Sequence, residues 1–246
     1  MSAQPQRSFH RALSHSRKQP PRRPSSGSPR PNHFVSIRLN AGPCQEHFAA
    51  FYQHVTTEFP ELQAYIIPPS EMHLTLALLH LNEHNTSSAI AAFAEASHVV
   101  RRHFSDYLLD LEFGGIDTFR SNWSTGQKTR VVYTYPKPGP SLSKLASFVD
   151  DLSLHLASKQ SRDSPFLWID SSPDRARFTP HCTLMKLKRT GNSGPIPDHI
   201  PDAAYSRFQD FEFGSARIAS IELSIMMGPK ESDGYYRSLA SIPLPS

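Results

Sequence analysis

The sequence predicts an α+β fold built mainly from antiparallel sheets. Helix-like and strand-like segments are mixed without the regular strand–helix–strand alternation of a parallel sheet, and several strand segments can pair through short turns. No glycine-rich phosphate loop of the GxGxxG or Walker type occurs. With 246 residues, the chain is long enough to bury a substantial core.

The elements follow from the spacing of the apolar residues. Alternating or continuous apolar runs rich in β-branched and aromatic residues predict strands, and apolar residues at helical spacing predict helices. Strands are predicted over 33–39, 73–81, 107–119 and 129–135, in the segment that begins at His181, and within 208–214, 216–227 and 235–244. Helices are predicted over 43–58, 86–104 and 141–158, and a loop over 161–173.

Residues 1–31, called the basic tail below, differ in composition from the rest of the chain. They contain seven Lys and Arg, no acid and almost no large apolar side chain, which predicts disorder. Removing these seven from the 26 basic residues leaves 19 against 22 acidic ones. The domain predicted over 32–246 therefore carries about −3 and has no broad nucleic-acid-binding face, so the tail is the part that would contact RNA electrostatically.

The destination of the protein is open at this stage. A solvated tail without a targeting role is the first expectation. "RKQPPRR" (17–23) fits a nuclear-import signal, and "RSFHRAL" (7–13) fits the start of a mitochondrial presequence, although the early prolines argue against a long presequence helix. No segment has the ~20 apolar residues of a membrane span. Two cysteines do not make a disulfide framework. The expected location is cytoplasmic, nuclear or both.

Two distant strands share a polar motif. "HLTL" begins at His73 and "HCTL" at His181, and each is followed by further apolar residues. Because residues i and i+2 of a strand project from the same face, Thr75 stands beside the first histidine and Thr183 beside the second. Each pair offers one imidazole and one hydroxyl on one face of its strand.

These residue types suit phosphodiester cleavage. One imidazole can accept the proton of the nucleophile and the other can protonate the leaving oxygen, while hydroxyls stabilise the charged oxygens. A structural role for single strand histidines remains the alternative. A zinc site has no clear third ligand, and a serine or cysteine nucleophile has no GxSxG context, with Cys182 expected to point away from His181.

The two motifs resemble the H-x-T/S-hydrophobic signatures of the two-histidine (2H) phosphoesterase superfamily. With "PNHFVSIRL", "FGGIDTF", "FTPHCTLMKLKR" and "DGYYRSLASI", the chain over 31–244 resembles the phosphoesterase-like domain of gamma/delta-type A-kinase anchoring proteins. The resemblance implies a bilobal fold, in which two pseudo-symmetric, mainly antiparallel sheets line a central groove and the helices lie outside.

The resemblance also implies the function and its residues. It implies a metal-independent phosphodiesterase without a cofactor, which acts on 2′,5′-linked oligoadenylates or 2′,3′-cyclic nucleotide ends and binds AMP- or CMP-like nucleotides. The alternatives are a non-catalytic nucleotide sensor and an RNA 3′-end-processing phosphodiesterase. The implied catalytic residues are His73, His181, Thr75 and Thr183, and weaker candidates for substrate binding are Phe119, Lys186 and Tyr235.

The expected partners are a nucleotide or a short oligonucleotide. Binding to the regulatory subunit of protein kinase A is not expected, because anchoring in such proteins resides in an amphipathic helix outside this domain. The chain ends with "SIPLPS" after the last predicted strand, and the basic tail has no apolar stripe.

Overall fold

The structure is a computed structural model that describes residues 30–39, 42–121, 128–168, 178–188 and 196–245. The prediction of disorder for the basic tail therefore falls outside the described residues, except at its last two positions. Within the described ranges, no helix is long and apolar enough to cross a membrane.

The described strands join one sheet, and every pairing in it is antiparallel. They are β1 (His33–Arg38), β2 (His73–Leu79), β3 (Asp110–Ser121), β4 (Lys128–Pro136), β5 (Leu167–Trp168), β6 (Cys182–Lys186), β7 (Glu212–Arg217), β8 (Ser220–Ile225) and β9 (Ser238–Pro243). Their order is β7-β3-β4-β6-β2-β1-β8-β9, and β5 pairs with the end of β2. The predicted α+β class is confirmed.

The sheet consists of two four-stranded halves. One half is β7-β3-β4-β6 and the other is β2-β1-β8-β9. The ladder between them contains one residue pair, Leu74 with Cys182, and a separate bridge links Ile66 with Met185. The two predicted sheets are therefore the two halves of one hydrogen-bonded sheet, and each half contributes one histidine motif at the joint.

The helices are α1 (Cys44–Glu58), α2 (Thr86–Glu95), α3 (Ser97–Phe104) and α4 (Pro140–Lys159). Helix α1 packs against β7, and α4 contacts β2 and β3. Their buried stripes (Phe48, Phe51, Val55 on α1; Leu145, Phe148, Leu152, Leu156 on α4) belong to the same core cluster as the buried residues of the sheet. This packing leaves the histidine face of the central strands outside the apolar core.

Two details of the predicted elements were wrong. The single helix over 86–104 is two helices, because the backbone tightens at Ala96, whose ψ is −6°, and the amides of Ala96 and Val99 bond three residues back. The predicted loop 161–173 contains the short strand β5, where Leu167 and Trp168 pair with the last residues of β2.

Candidate active site

The two histidine motifs meet where the halves of the sheet join. Leu74 pairs with Cys182, and both side chains are fully buried. Continuing this antiparallel register by one residue in each direction sets His73 opposite Thr183, and Thr75 opposite His181. Because side chains alternate along a strand, these four lie on the face opposite the buried pair. We call this face of the joint the groove.

The two threonines present hydroxyls to the groove. Thr75 and Thr183 are both partly exposed, in contrast to the buried residues on either side of them. Among the residues that the structure describes, neither hydroxyl has a hydrogen-bond partner. Both are therefore free to donate to a ligand in the groove.

Both imidazoles are held through the same ring nitrogen. Nδ1 of His73 lies 2.7 Å from the carbonyl oxygen of Glu71, and Nδ1 of His181 lies 2.8 Å from that of Thr179. A carbonyl oxygen only accepts, so Nδ1 carries the proton and Nε2 of the neutral ring has a free lone pair. The two halves thus present equivalent tautomers of the two histidines.

Three aromatic rings enclose His73. Its ring centroid lies 4.9 Å from that of Phe34, 5.5 Å from that of Tyr236 and 6.4 Å from that of Tyr235. This burial lowers the pKa of His73 to about 4, and the nearby charge of His181 acts in the same direction. His73 is therefore neutral at pH 7.

His181 has two aromatic neighbours and a cationic one. Phe119 meets it edge-on at 4.9 Å, Tyr133 lies at 5.3 Å, and these two rings stack at 4.3 Å. Burial, and then the charge of Lys186, lower the pKa of His181. Phe119 is 39% exposed, so this candidate for substrate binding presents ring surface to the solvent beside His181.

A β-bulge turns Lys186 toward the groove. Leu184 and Met185 are consecutive in β6 and both buried, and the register between β4 and β6 shifts between Val132 and Tyr133. The extra residue reverses the alternation, so Lys186 lies on the same face as the threonine of β6. Strict alternation from His181 would have placed it on the opposite face.

Strand β2 has the same irregularity at the corresponding place. Leu76 and Ala77 are both buried, and the pairing with β1 shifts between Val35 and Ser36. The residue that corresponds to the groove lysine is therefore Leu78, which is apolar. The two halves share one backbone design and differ in charge at this position.

Tyr235 lies beneath His73. Its side chain has no exposed surface, its hydroxyl is 2.9 Å from Oγ of Ser36, and the guanidinium carbon of Arg38 is 3.8 Å from its ring centroid. A completely buried phenol has no surface to offer to a ligand, so the structure corrects the predicted substrate contact to a supporting role for Tyr235.

Sequence reasoning missed a cluster around Tyr236. Nζ of Lys230 lies 3.1 Å from the centroid of this ring and 3.2 Å from a carboxylate oxygen of Glu71, whose carbonyl holds His73. The available signal was the tyrosine pair of "DGYYRS". Alternation does not decide which of the two is exposed, because both precede β9, which begins at Ser238.

The sequence of the chain matches a known family. The profile of the AKAP7 2′5′ RNA ligase-like domain matches residues 31–244, which is most of the chain. The chain belongs to this family. The predicted resemblance is therefore confirmed.

Members and fold neighbours of this AKAP7-type domain differ widely in sequence. The human A-kinase anchor protein 7 isoform gamma is 25% identical over 215 residues, which are 86% of this chain and 57% of that protein. This chain thus spans a little over half of that relative. Escherichia coli LigT complexed with 3′-AMP is 16% identical with a TM-score of 0.53 and coverage of 88% of this chain and 99% of LigT. TT0787 of Thermus thermophilus is 17% identical, with a TM-score of 0.51 and coverages of 87% and 97%. Both structures support the fold.

Proposed function

We propose that this AKAP7-type domain is a metal-independent phosphodiesterase that cleaves 2′,5′-linked oligoadenylates or opens 2′,3′-cyclic nucleotide ends. The observation that carries the proposal is the meeting of two H-x-T motifs across the Leu74–Cys182 pair. The description of the matching family as a 2′5′ RNA ligase-like domain supports the choice of a 2′,5′-linked substrate.

We base the division of roles between the two histidines on their surroundings. A base must be unprotonated, and burial among three rings lowers the pKa of His73 to about 4. His181 is packed by two rings. A bound phosphate anion next to it favours its protonated form, which is what a general acid needs. We therefore assign the base to His73 and the acid to His181.

The reaction of a 2′,5′-linked substrate follows from this assignment. Nε2 of His73 accepts the proton of the neighbouring ribose 3′-hydroxyl, whose oxygen attacks phosphorus. The bond from phosphorus to the 5′-oxygen breaks, and protonated Nε2 of His181 donates its proton to that oxygen. The products are a 2′,3′-cyclic phosphate and a free 5′-hydroxyl. With a cyclic substrate, water is the nucleophile.

The remaining groove residues have binding roles in this proposal. The hydroxyls of Thr75 and Thr183 donate to the non-bridging oxygens, where negative charge increases in the transition state. The exposed ring of Phe119 stacks on a base, and the ammonium group of Lys186 attracts the phosphate groups of the ligand into the groove. The expected partners are therefore nucleotides and short oligonucleotides. A cytoplasmic or nuclear location stays a prediction.

The test is a substrate panel assayed in EDTA. A 2′,5′-linked diadenylate, 2′,3′-cyclic AMP and a short RNA are offered to wild type, His73→Ala, His181→Ala and the matched control His84→Ala, which removes an exposed imidazole. Each groove variant should lose about 10²- to 10⁴-fold in turnover, as expected for an acid or a base. Activity retained in both groove variants refutes the assignment.

Other outcomes of the panel separate the rival functions. AMP binding without product after a long incubation identifies a nucleotide-sensing module. Preferential trimming of the RNA 3′ end identifies an end-processing enzyme, and strong salt dependence that disappears when residues 1–31 are removed would assign RNA contact to the basic tail.

A further inference from the structure

We propose that the groove contains a second anion subsite formed by Lys186, Lys188 and Lys230, and that its ligands are nucleotides with a phosphate in addition to the one held by the two threonines. This inference rests on the proposed function, because it defines the substrate class of the same groove.

Lys230 is fixed on the His73 side of the groove. Its ammonium group contacts the Tyr236 ring at 3.1 Å and Glu71 at 3.2 Å, and its backbone forms a bridge with that of Tyr236. The turn that follows packs tightly against the same segment, since a Cβ at Gly234 would come 2.8 Å from Oγ of Ser70. A lysine restrained in this way loses little further freedom when it binds an anion.

The end of β6 runs beside the segment that carries Glu71. The amide of Ile67 donates to the carbonyl of Leu184 at 2.9 Å, and Ile66 forms a bridge with Met185. His73 lies opposite Thr183 in the antiparallel register of β2 and β6, so the chain that runs back from His73 to Glu71 points the same way as β6 from Thr183 to Lys186, which the bulge turns to the groove face. The lysines of β6 and the lysine paired with Glu71 therefore come from different halves of the sheet and face the same space.

Electrostatics agree with this placement. The charge of Lys188 contributes to lowering the pKa of both Lys186 and Lys230, although burial is the larger cause for each. Within the described ranges, no carboxylate pairs with either lysine of β6 and its exit, and Glu71 is the partner of Lys230. Three ammonium groups thus face one carboxylate, which leaves an excess positive charge beside the catalytic pair.

The excess charge lies on one side of the groove. The position in β2 that corresponds to Lys186 is Leu78, so the other half offers an apolar surface there. A phosphate dianion is the complement of a group of lysines, each of which acts as a compact point charge. An additional phosphate on the nucleotide therefore fits the lysine side and has no comparable partner on the Leu78 side.

The test compares two ligands that differ by one phosphate. Calorimetry measures the affinities for 2′-AMP and adenosine 2′,5′-bisphosphate of wild type, Lys188→Met and the double variant Lys188→Met/Lys230→Met. The control is Lys159→Met, which removes a lysine of α4 that pairs with Glu95 of α2. Wild type should bind the bisphosphate about tenfold more tightly at low ionic strength, with the ratio decreasing as salt is added. Lys188→Met should reduce the ratio about threefold and leave the affinity for 2′-AMP within twofold, as expected for one partly exposed charge.

The double variant should bring the ratio close to one, and its retained binding of 2′-AMP would show that the groove is intact. Equal affinities of wild type for the two ligands, or an unchanged ratio in the double variant, would overturn the second subsite. Failure of wild type to bind either ligand would overturn the proposed function together with this inference. Preference for the bisphosphate without turnover of any substrate would support the subsite and refute catalysis.

Discussion

Protonation of His73 should destabilise the folded protein in mildly acidic solution. Burial lowers its pKa to about 4, against 6.5 for an imidazole in water, so the unfolded chain binds this proton more tightly than the folded one. The stabilisation is complete above pH 6.5 and is lost as the pH falls toward 4. At pH 4.5 the unfolded imidazole is almost fully protonated, and the difference in pKa costs roughly 2.5 kcal/mol of the free energy of unfolding.

Urea denaturation at pH 7 and pH 4.5 measures this loss. His181 has a lowered pKa as well, so the contribution of His73 is the difference between wild type and His73→Asn, whose side chain does not titrate. Between the two pH values wild type should lose about 2.5 kcal/mol more than this variant. The exposed His84→Asn variant should follow wild type. Equal losses in wild type and His73→Asn would mean that the imidazole is not buried in solution, and the reason for naming it the base would be gone.

Three further predictions concern the same groove. The pH profile of kcat/KM should be bell-shaped with its optimum below 6.5, because the pKa of His73 is about 4 and that of His181 is also lowered, and an alkaline optimum would contradict the use of these two histidines as the acid and the base. Phe119→Ala should raise KM for adenylates about 5- to 100-fold with little change in kcat, as loss of one stacked base predicts, whereas Phe119→Trp should restore binding, and steady-state kinetics would show both. Tyr235→Phe should lower the free energy of unfolding by about 1–2 kcal/mol, because the buried hydroxyl of Ser36 loses its partner. Unchanged stability together with a clear decrease in kcat would instead indicate that Tyr235 contacts the ligand.

The central part of the site was predictable from two short strands. His73 and His181 each begin an apolar run, so a period of two places the threonines beside them and sends Leu74 and Cys182 into the core. The structure has this alternation in both strands. Apolar periodicity also determined the helices at 43–58 and 141–158, because each has a continuous buried stripe and a proline at or near an end.

The missing parts depend on contacts between distant residues. A bulge is a property of two paired strands, so nothing within "HCTLMKL" showed that Leu184 and Met185 would both be buried and Lys186 turned toward the groove. Strand β5 has two residues and forms only by pairing with β2. Which of Tyr235 and Tyr236 is buried depends on Ser36, about two hundred residues away, because the hydroxyl of Ser36 forms a hydrogen bond with that of Tyr235 in the core.

The two halves of the sheet share one backbone design, so only the side chains in which they differ can determine the direction in which a substrate binds. With the same motif, the same bulge and the same carbonyl contact at Nδ1, two identical half-sites would bind a phosphodiester equally well in either direction, and only one direction aligns the attacking hydroxyl with the base. Lys186 in place of the apolar Leu78 distinguishes the two directions for a charged substrate. The packing of His73 by three rings, against two for His181, distinguishes the two imidazoles. The motifs place two equivalent histidines, and the proposed division of roles, with His73 as base and His181 as acid, rests on these unequal surroundings.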